Sequence, residues 1–490
     1  MSDKNLTTLT LNNDPRLFVA IADLVSSTAE THGFPPNEAG EIGKLTRNVL
    51  EHLFGINAQG NDDAPFKISI FIRSCEFFVS FEYKGLPIEL KDDNSNSESP
   101  FSLSISSPAI DRVNLINRGK EGQSLELIKI LPTVMCDFEL SEELSGNSTE
   151  KIPVLGHAED LDIRMIRPDE GVRLARCFYR VYGYTYGPRY VYSPDLLNIL
   201  IESGKLVSAV AVDKAGEVVA HGAMRRTKPD DRVAELISLA VDPEFRGVGL
   251  AAKIHLYLMN YARGLGLRGV FGEAVTIHPF SQRLCRSLGG KESAVMPGYI
   301  PPAYYKGIAD NNYGKRQVAI VYFFPLDLSS ESGRVFAPLN YQDILKKIYG
   351  RLGLYRDFGS ELVVPWGISC GETSLSLVVS NDINSASIVV NSYCPDTAKV
   401  IEFRLKQLIK EGIEYISLDL PLGDPLTPYF SQELETMGFF FSGVIPHLVD
   451  GDALRLQFLN TREINFDSAS IESKFAKELV NYVISKRNII

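Results

Sequence analysis

The stretch Ala234–Ile254 reads AELISLAVDPEFRGVGLAAKI. Leu236 to Val241 is an apolar run with the look of a strand, Asp242-Pro243 reads as a turn, and an apolar helical pattern begins directly after the loop Arg246-Gly247-Val248-Gly249-Leu250-Ala251. Strand, turn, glycine loop and helix in that order make an anion site. Gly247 and Gly249 let the backbone approach a ligand, and the loop amides join the unpaired donors of the first helical turn, where the helix dipole also favours a diphosphate. A second pattern, Gly264-Leu-Gly266-Leu-Arg-Gly269, follows a helix and precedes a strand. That is the wrong order for a dinucleotide site, so it reads as a helix C-cap and turn.

Around this stretch the composition is that of an ordinary globular chain: 490 residues, 44% hydrophobic and 23% charged, a length that suggests about three domains. A net charge of −11 argues against nucleic acid or an anionic membrane surface as partner, since both need a basic field. No apolar run reaches a membrane-spanning length, and MSDKNLTTLTLNNDPR has no signal core, which together read as a cytoplasmic protein. The six cysteines are scattered without a CxxC pair or a Cys/His cluster, so neither a disulfide framework nor a metal site is expected.

At Arg246-Gly247-Val248-Gly249-Leu250-Ala251 the chain resembles the GNAT acyltransferases, whose acyl-CoA loop reads Arg/Gln-x-x-Gly-x-Gly/Ala; Gly249 and Ala251 fall in its small-residue slots. The resemblance covers about residues 161–328 and implies a mixed α/β fold that takes acetyl-CoA as co-substrate and transfers the acyl group to an amine. It implies cofactor contacts at Arg246 to Ala251, and an oxyanion donor among free amides at Leu239, Ala240 and Val241 where the motif strand parts from its neighbour. Glu235, eleven residues before Arg246, is the candidate base. The resembling last helix, in HPFSQRLCRSLGG, has Cys285 where the family usually has Tyr, so the proton donor for the leaving thiolate is Cys285 or a tyrosine between Tyr182 and Tyr192. That segment, FYRVYGYTYGPRYVY from Phe178, falls where the family covers its acceptor, and its aromatic wall suits an aromatic or cationic group. His278 reads as a base, a substrate contact or a plain helix-entry residue.

The flanks suggest two further units joined to this one. Residues 1–135 hold two helical patterns, Leu17 to Glu30 and Glu38 to Phe54, an alternating pair of strands over Phe66 to Glu82, a serine-rich stretch at 91–107 read as a mobile loop, and a final strand after Gly122. The arrangement is distantly similar to the GHKL ATPases used by anti-sigma-factor kinases, with Asn48 in the Asn-bearing helix, Tyr83-Lys-Gly85-Leu-Pro87 at the Asp-x-Gly turn and Gly119 to Lys129 at the terminal strand. Lys44 and Tyr83 stand where that family has its acidic base and its base-reading Asp. The resemblance therefore implies a degenerate, regulatory α/β sandwich without kinase activity, a place for a protein partner, and ATP with magnesium only if Asn48 retains a metal or phosphate contact. Residues 136–160 read as a linker.

The last unit, 329–490, echoes the second. Phe430-Ser-Gln432-Glu-Leu434 to Gly438 repeats Phe280-Ser-Gln282-Arg-Leu284 to Gly289, and the helix and strand patterns upstream recur, with Pro395-Asp-Thr-Ala398 in place of the glycine loop. This predicts tandem GNAT-like domains of which the second is degenerate. The acceptor, small molecule or protein, is not indicated, and a sensor or scaffold that binds acyl-CoA or nucleotide without turnover is the alternative.

Overall fold

A computed structural model describes residues 4–11, 14–58, 66–73, 76–90, 102–103, 107–118, 122–132, 161–228, 230–302, 315–327, 333–359, 373–461, 464–465 and 469–487. The linker at 136–160, most of the serine-rich stretch at 91–107, and Gly119 lie outside the described residues. The chain is a mixed α/β protein built on two main sheets.

The N-terminal sheet is antiparallel, in the order Lys4–Leu11, Phe66–Arg73, Glu76–Tyr83, Gln123–Ile130, Arg112–Asn117. Two helices, Phe18–Thr31 and Pro36–Ala58, cover one face. Their apolar stripes, with Ile21, Val25, Ile42 and Leu50, meet the inward residues Ile68, Val79, Phe81 and Leu125 in a shared core. Strand Lys4–Leu11 is absent from the sequence expectation; its alternation is broken by a register shift between Asn5 and Thr7.

The second sheet runs through both remaining units without interruption. From one edge its strands are Asp162–Met165, Leu206–Val212, Val218–Arg225, Val233–Val241, Gly269–Val275, Arg316–Pro325, Lys291–Ile300, Phe440–Val449, Gly451–Leu459, Tyr415–Pro421, Ser385–Ser392 and Ser374–Ser380. Strand Arg316–Pro325 is internal, between Gly269–Val275 and Lys291–Ile300. Lys291–Ile300 was hidden by Pro297 and Gly298, which the strand accommodates by a register break between Met296 and Ile300.

The pairing pattern occurs twice. Val233–Val241 runs parallel to Gly269–Val275, followed by antiparallel Arg316–Pro325 and Lys291–Ile300; Ser385–Ser392 runs parallel to Tyr415–Pro421, followed by antiparallel Gly451–Leu459 and Phe440–Val449. The last strands of the two series meet at Ala294 and Gly443. A Cβ on Gly443 would overlap the Ser293 carbonyl and Ala294, so only glycine lets the seam close. The echo of Phe280-Ser-Gln with Phe430-Ser-Gln is not a matched pair of positions: Phe280 opens its helix at 55% exposure, while Phe430 is the fourth residue of helix Thr427–Glu435 and fully buried. The C-terminal segment crosses back onto the middle unit. Ile464–Asn465 pairs with Arg316–Gln317, and helix Lys474–Arg487 places Phe475, Leu479 and Val483 in the common core.

Candidate active site

The parallel pairing of the motif strand ends early. Val233 to Leu236 face Gly269 to Gly272, but both strands continue, to Val241 and Val275, without further pairing between them. The cause lies at Ser238, a non-glycine residue with φ of 53°, where the pairing to Val218–Arg225 also slips between His221 and Ala223. Such a bulge bends and twists its strand. Leu239, Ala240 and Val241 lie immediately past the bend, along the edge that turns away from Gly269–Val275.

The bend is held from several sides. The Nδ1–H of buried His221 donates to the Ser238 carbonyl at 2.7 Å, and its Nε2 meets the Ser208 hydroxyl at 2.8 Å. A carbonyl only accepts, so Nδ1 carries the proton; burial pushes this imidazole down to about 4 and keeps it neutral near pH 7. From the tyrosine segment, Tyr190 and Tyr186 reach the Ser238 hydroxyl at 2.5 and 3.1 Å, and the Tyr182 hydroxyl donates to the Leu239 carbonyl at 3.0 Å. Ser238 and His221 carry no sequence signal for this role; only the strand pairing brings them together.

The turn beyond the strand is pinned by charge. Asp242 accepts from the Glu244 amide at 3.1 Å, starting a short 3-10 turn, and from the Arg180 guanidinium at 2.6 Å, with both side chains buried. Arg180 also donates to the Val218 carbonyl, so one side chain joins helix Gly171–Tyr182, the motif turn and the neighbouring strand. Gly247 and Gly249 then take φ of 86° and 79°, with open space where a Cβ would stand, and Gly249 caps the 15-residue helix Leu250–Gly264. Leu250 is buried, Arg246, Val248 and Ala251 are half-buried, and the glycines are exposed, so the loop presents backbone rather than side chains. Chain reversal at Gly266, with φ of 73°, follows as the expected C-cap.

One face of the sheet gathers the acidic groups. Arg225 lies directly opposite Glu235 and donates to its carboxylate at 2.6 and 3.1 Å. Glu235 is opposite Phe271, which puts Glu273, two residues on, on the same face beside it. Burial, and then the Glu235 charge, push the Glu273 carboxyl well above the usual range; Arg455, from the last unit, opposes that rise. Glu273 was missed because a single Glu in GVFGEAV gives no hint of its neighbour across the ladder.

The other candidates separate. Cys285 does not suit an acid's role: it packs in the core at 8% exposure, and burial pushes its thiol up to about 12, making it a weaker acid than a free thiol. His278 is half-buried beside Phe280, and burial takes it down to about 4, so it is neutral. The tyrosine segment is tied to the last unit, with Arg189 donating from its backbone and side chain to Asp382 at 3.1 and 3.2 Å. In the N-terminal unit Asn48 is exposed, and Tyr83 is buried with its hydroxyl donating to Gln123 at 2.7 Å.

Comparison with solved structures finds likenesses of low identity over about a third of the chain. An N-acetyltransferase from Staphylococcus aureus Mu50 is 16% identical, covering 34% of this chain and 99% of that one at a TM-score of 0.28. The ribosomal-protein-S18-alanine N-acetyltransferase from Escherichia coli is 16% identical, covering 35% and 97% at 0.29. A GNAT superfamily phosphinothricin acetyltransferase from Sinorhizobium meliloti, in complex with AcCoA, is 19% identical, covering 34% and 88% at 0.28. No curated protein matches. Among the described residues no helix is long and apolar enough to cross a membrane. Residues 173–289, which span the tyrosine segment, the bulged strand, the glycine loop and Cys285, match the model of the acetyltransferase (GNAT) family.

Proposed function

We propose that the protein is an acetyl-CoA-dependent N-acetyltransferase. The observation that carries this reading is the parting of the parallel strands beyond Leu236 and Gly272, immediately ahead of a positive-φ glycine loop that opens a helix. The loop from Arg246 to Ala251 would hold the diphosphate through its amides, with the pantetheine lying along the gap beside Leu239, Ala240 and Val241. Glu235 takes the proton released as the amine attacks the thioester, with Glu273 beside it holding a proton of its own. An amide of the splayed edge receives the developing oxyanion. Tyr182, whose hydroxyl already lies at Leu239, protonates the leaving thiolate. The acceptor is a small-molecule or protein amine, entering between the tyrosine segment and the carboxyl pair.

The last unit is read as a degenerate second copy without its own acyl-CoA loop. Its repeated pairing pattern supports this, and it contributes Arg455 and Asp382 to the surroundings of the first site. The N-terminal unit is read as a regulatory, ATPase-like domain. Its Arg176 link, from helix Gly171–Tyr182 to the Lys84 carbonyl at 2.5 Å, gives it a route to the tyrosine segment. Glu235→Gln tests the catalytic reading: turnover of an accepted amine should fall at least about a hundredfold while acetyl-CoA affinity holds. Unchanged turnover would remove Glu235 from the mechanism, and bound acetyl-CoA with no turnover on any amine would favour a sensor.

A further inference from the structure

The cation beside the acid pair is only partly used. Both bonds from Arg225, Nε at 3.1 Å and Nη2 at 2.6 Å, end on one oxygen of Glu235, and among the described residues Nη1 has no hydrogen-bond partner. The Arg225 side chain keeps 48% exposure where Glu235 keeps 14%. Its charge opposes the rise that burial imposes on the Tyr186 and Tyr190 hydroxyls, so it borders the tyrosine segment as well as the acids. Arg455, the other guanidinium that acts on Glu273, is closed: it is buried, and its Nε and Nη2 each meet an Asp419 oxygen at 2.8 Å. Arg225 is thus held by a single carboxylate oxygen with its other edge open.

Tyr299 joins this group. Gly298, at φ of 73° with Ile464 and Leu459 against its Cβ direction, turns strand Lys291–Ile300, and Arg316 fixes the turn by donating to the Tyr299 carbonyl at 2.8 Å. The Tyr299 ring packs edge-on against Tyr415 at 5.2 Å, and its hydroxyl has no hydrogen-bond partner among the described residues. Burial, and then the Glu273 and Glu235 charges, raise that hydroxyl, so it stays protonated beside both acids.

We propose that the acceptor is an amino acid, a small amine with a carboxylate close by: the carboxylate docks on the open edge of Arg225 and the amine lies among Glu235, Glu273 and Tyr299. This rests on the N-acetyltransferase reading and narrows it. A guanidinium edge is shaped for a carboxylate, and a zwitterion brings no net charge to the Arg225–Glu235 pair while each of its ends meets an opposite partner. A cationic chain, which the aromatic wall alone would suit, sets a like charge beside Arg225. An uncharged chain strips water from the guanidinium and returns no anion. A lysine side chain or the amino end of a protein carries no carboxylate at that spacing. In the transfer itself the bound ammonium first yields one proton to water. The neutral nitrogen then bonds to the acetyl carbon as the C–S bond breaks, Glu235 takes the proton the amine loses, and Tyr182 supplies the one the thiolate gains.

Matched pairs of acceptors, offered to the full chain with acetyl-CoA, test this: each L-amino acid against the amine left when its carboxylate is removed, such as L-lysine with cadaverine or L-phenylalanine with phenethylamine. At least one amino acid should exceed its amine by about tenfold or more in kcat/KM, and Arg225→Leu should bring that pair within about twofold of each other, chiefly through KM. Equal rates within every pair, a preference for the amines, a preference that survives Arg225→Leu, or transfer to neither set by a chain that binds acetyl-CoA would overturn the proposal. A chain that gives no calorimetric heat with acetyl-CoA would instead remove the N-acetyltransferase reading, and the proposal with it.

Discussion

The guanidinium of Arg180 donates to the carboxylate of Asp242 at 2.6 Å, with both side chains closed off from water. The pair joins a helix to the turn that begins the glycine loop, so it fixes the loop's origin. Removing one partner leaves an uncompensated buried charge, so Arg180→Met should cost about 3–5 kcal/mol in urea unfolding. The double variant with Asp242→Asn should recover part of that loss. A double variant no more stable than Arg180→Met would show that the guanidinium acts through packing instead.

Ser238 holds a left-handed conformation that serine rarely adopts, fixed by His221, Tyr186 and Tyr190. Strain of this kind costs about 1–3 kcal/mol. Ser238→Gly should therefore fold well, and Ser238→Val should lose both stability and turnover because a β-branched residue resists that φ. If Ser238→Val turns over like wild type, the bulge does not shape the site.

His221 makes stability depend on pH. Its ring sits at about 4 when folded against 6.5 in the open chain, so the unfolded state binds more protons between these values. Stability from this residue is complete above pH 6.5 and lost as pH falls towards 4, by about 3 kcal/mol in all at 1.36 kcal/mol per pH unit. Unfolding measured from about pH 7 to about pH 4.5 should show a steeper decline for wild type than for His221→Asn. Parallel declines would assign the acid sensitivity elsewhere.

The seam between the two pairing series rests on Gly443, where a Cβ would overlap Ser293 and Ala294. Backbone atoms cannot give way as a flexible side chain can, so Gly443→Ala should cost more than about 2 kcal/mol and lower the melting midpoint. Gly451→Ala, at φ of 107° but with nothing within 4 Å of its Cβ, carries the backbone strain without the overlap and should cost less. A Gly443→Ala variant as stable as wild type would mean that the two series are not packed at this residue.

The motif region was legible because each level agreed there: Leu236 to Val241, Asp242-Pro243 and the two glycines formed the expected strand, turn and loop. Glu235 was legible as an acid, but its bond to Arg225 and its neighbour Glu273 were not, since they depend on register between strands distant in sequence. Cys285 stands at a tyrosine position of the resembling helix, and nothing in RSLGG foretells that its helix turns the thiol into the core. Lys4–Leu11 and Lys291–Ile300 escaped for a related reason, because a bulge in each breaks the two-residue period that identifies a strand.

On the proposed function, the glycine loop and the parted strands hold acetyl-CoA. Calorimetric titration of the whole chain with acetyl-CoA, repeated on Gly249→Trp and with ATP and magnesium, tests it most directly. Binding is expected at about one site per chain and should be abolished in Gly249→Trp, where the side chain strains a φ of 79° and fills the space of a diphosphate. Equal binding by Gly249→Trp, or heat from ATP alone, would contradict it and move the ligand site away from the loop.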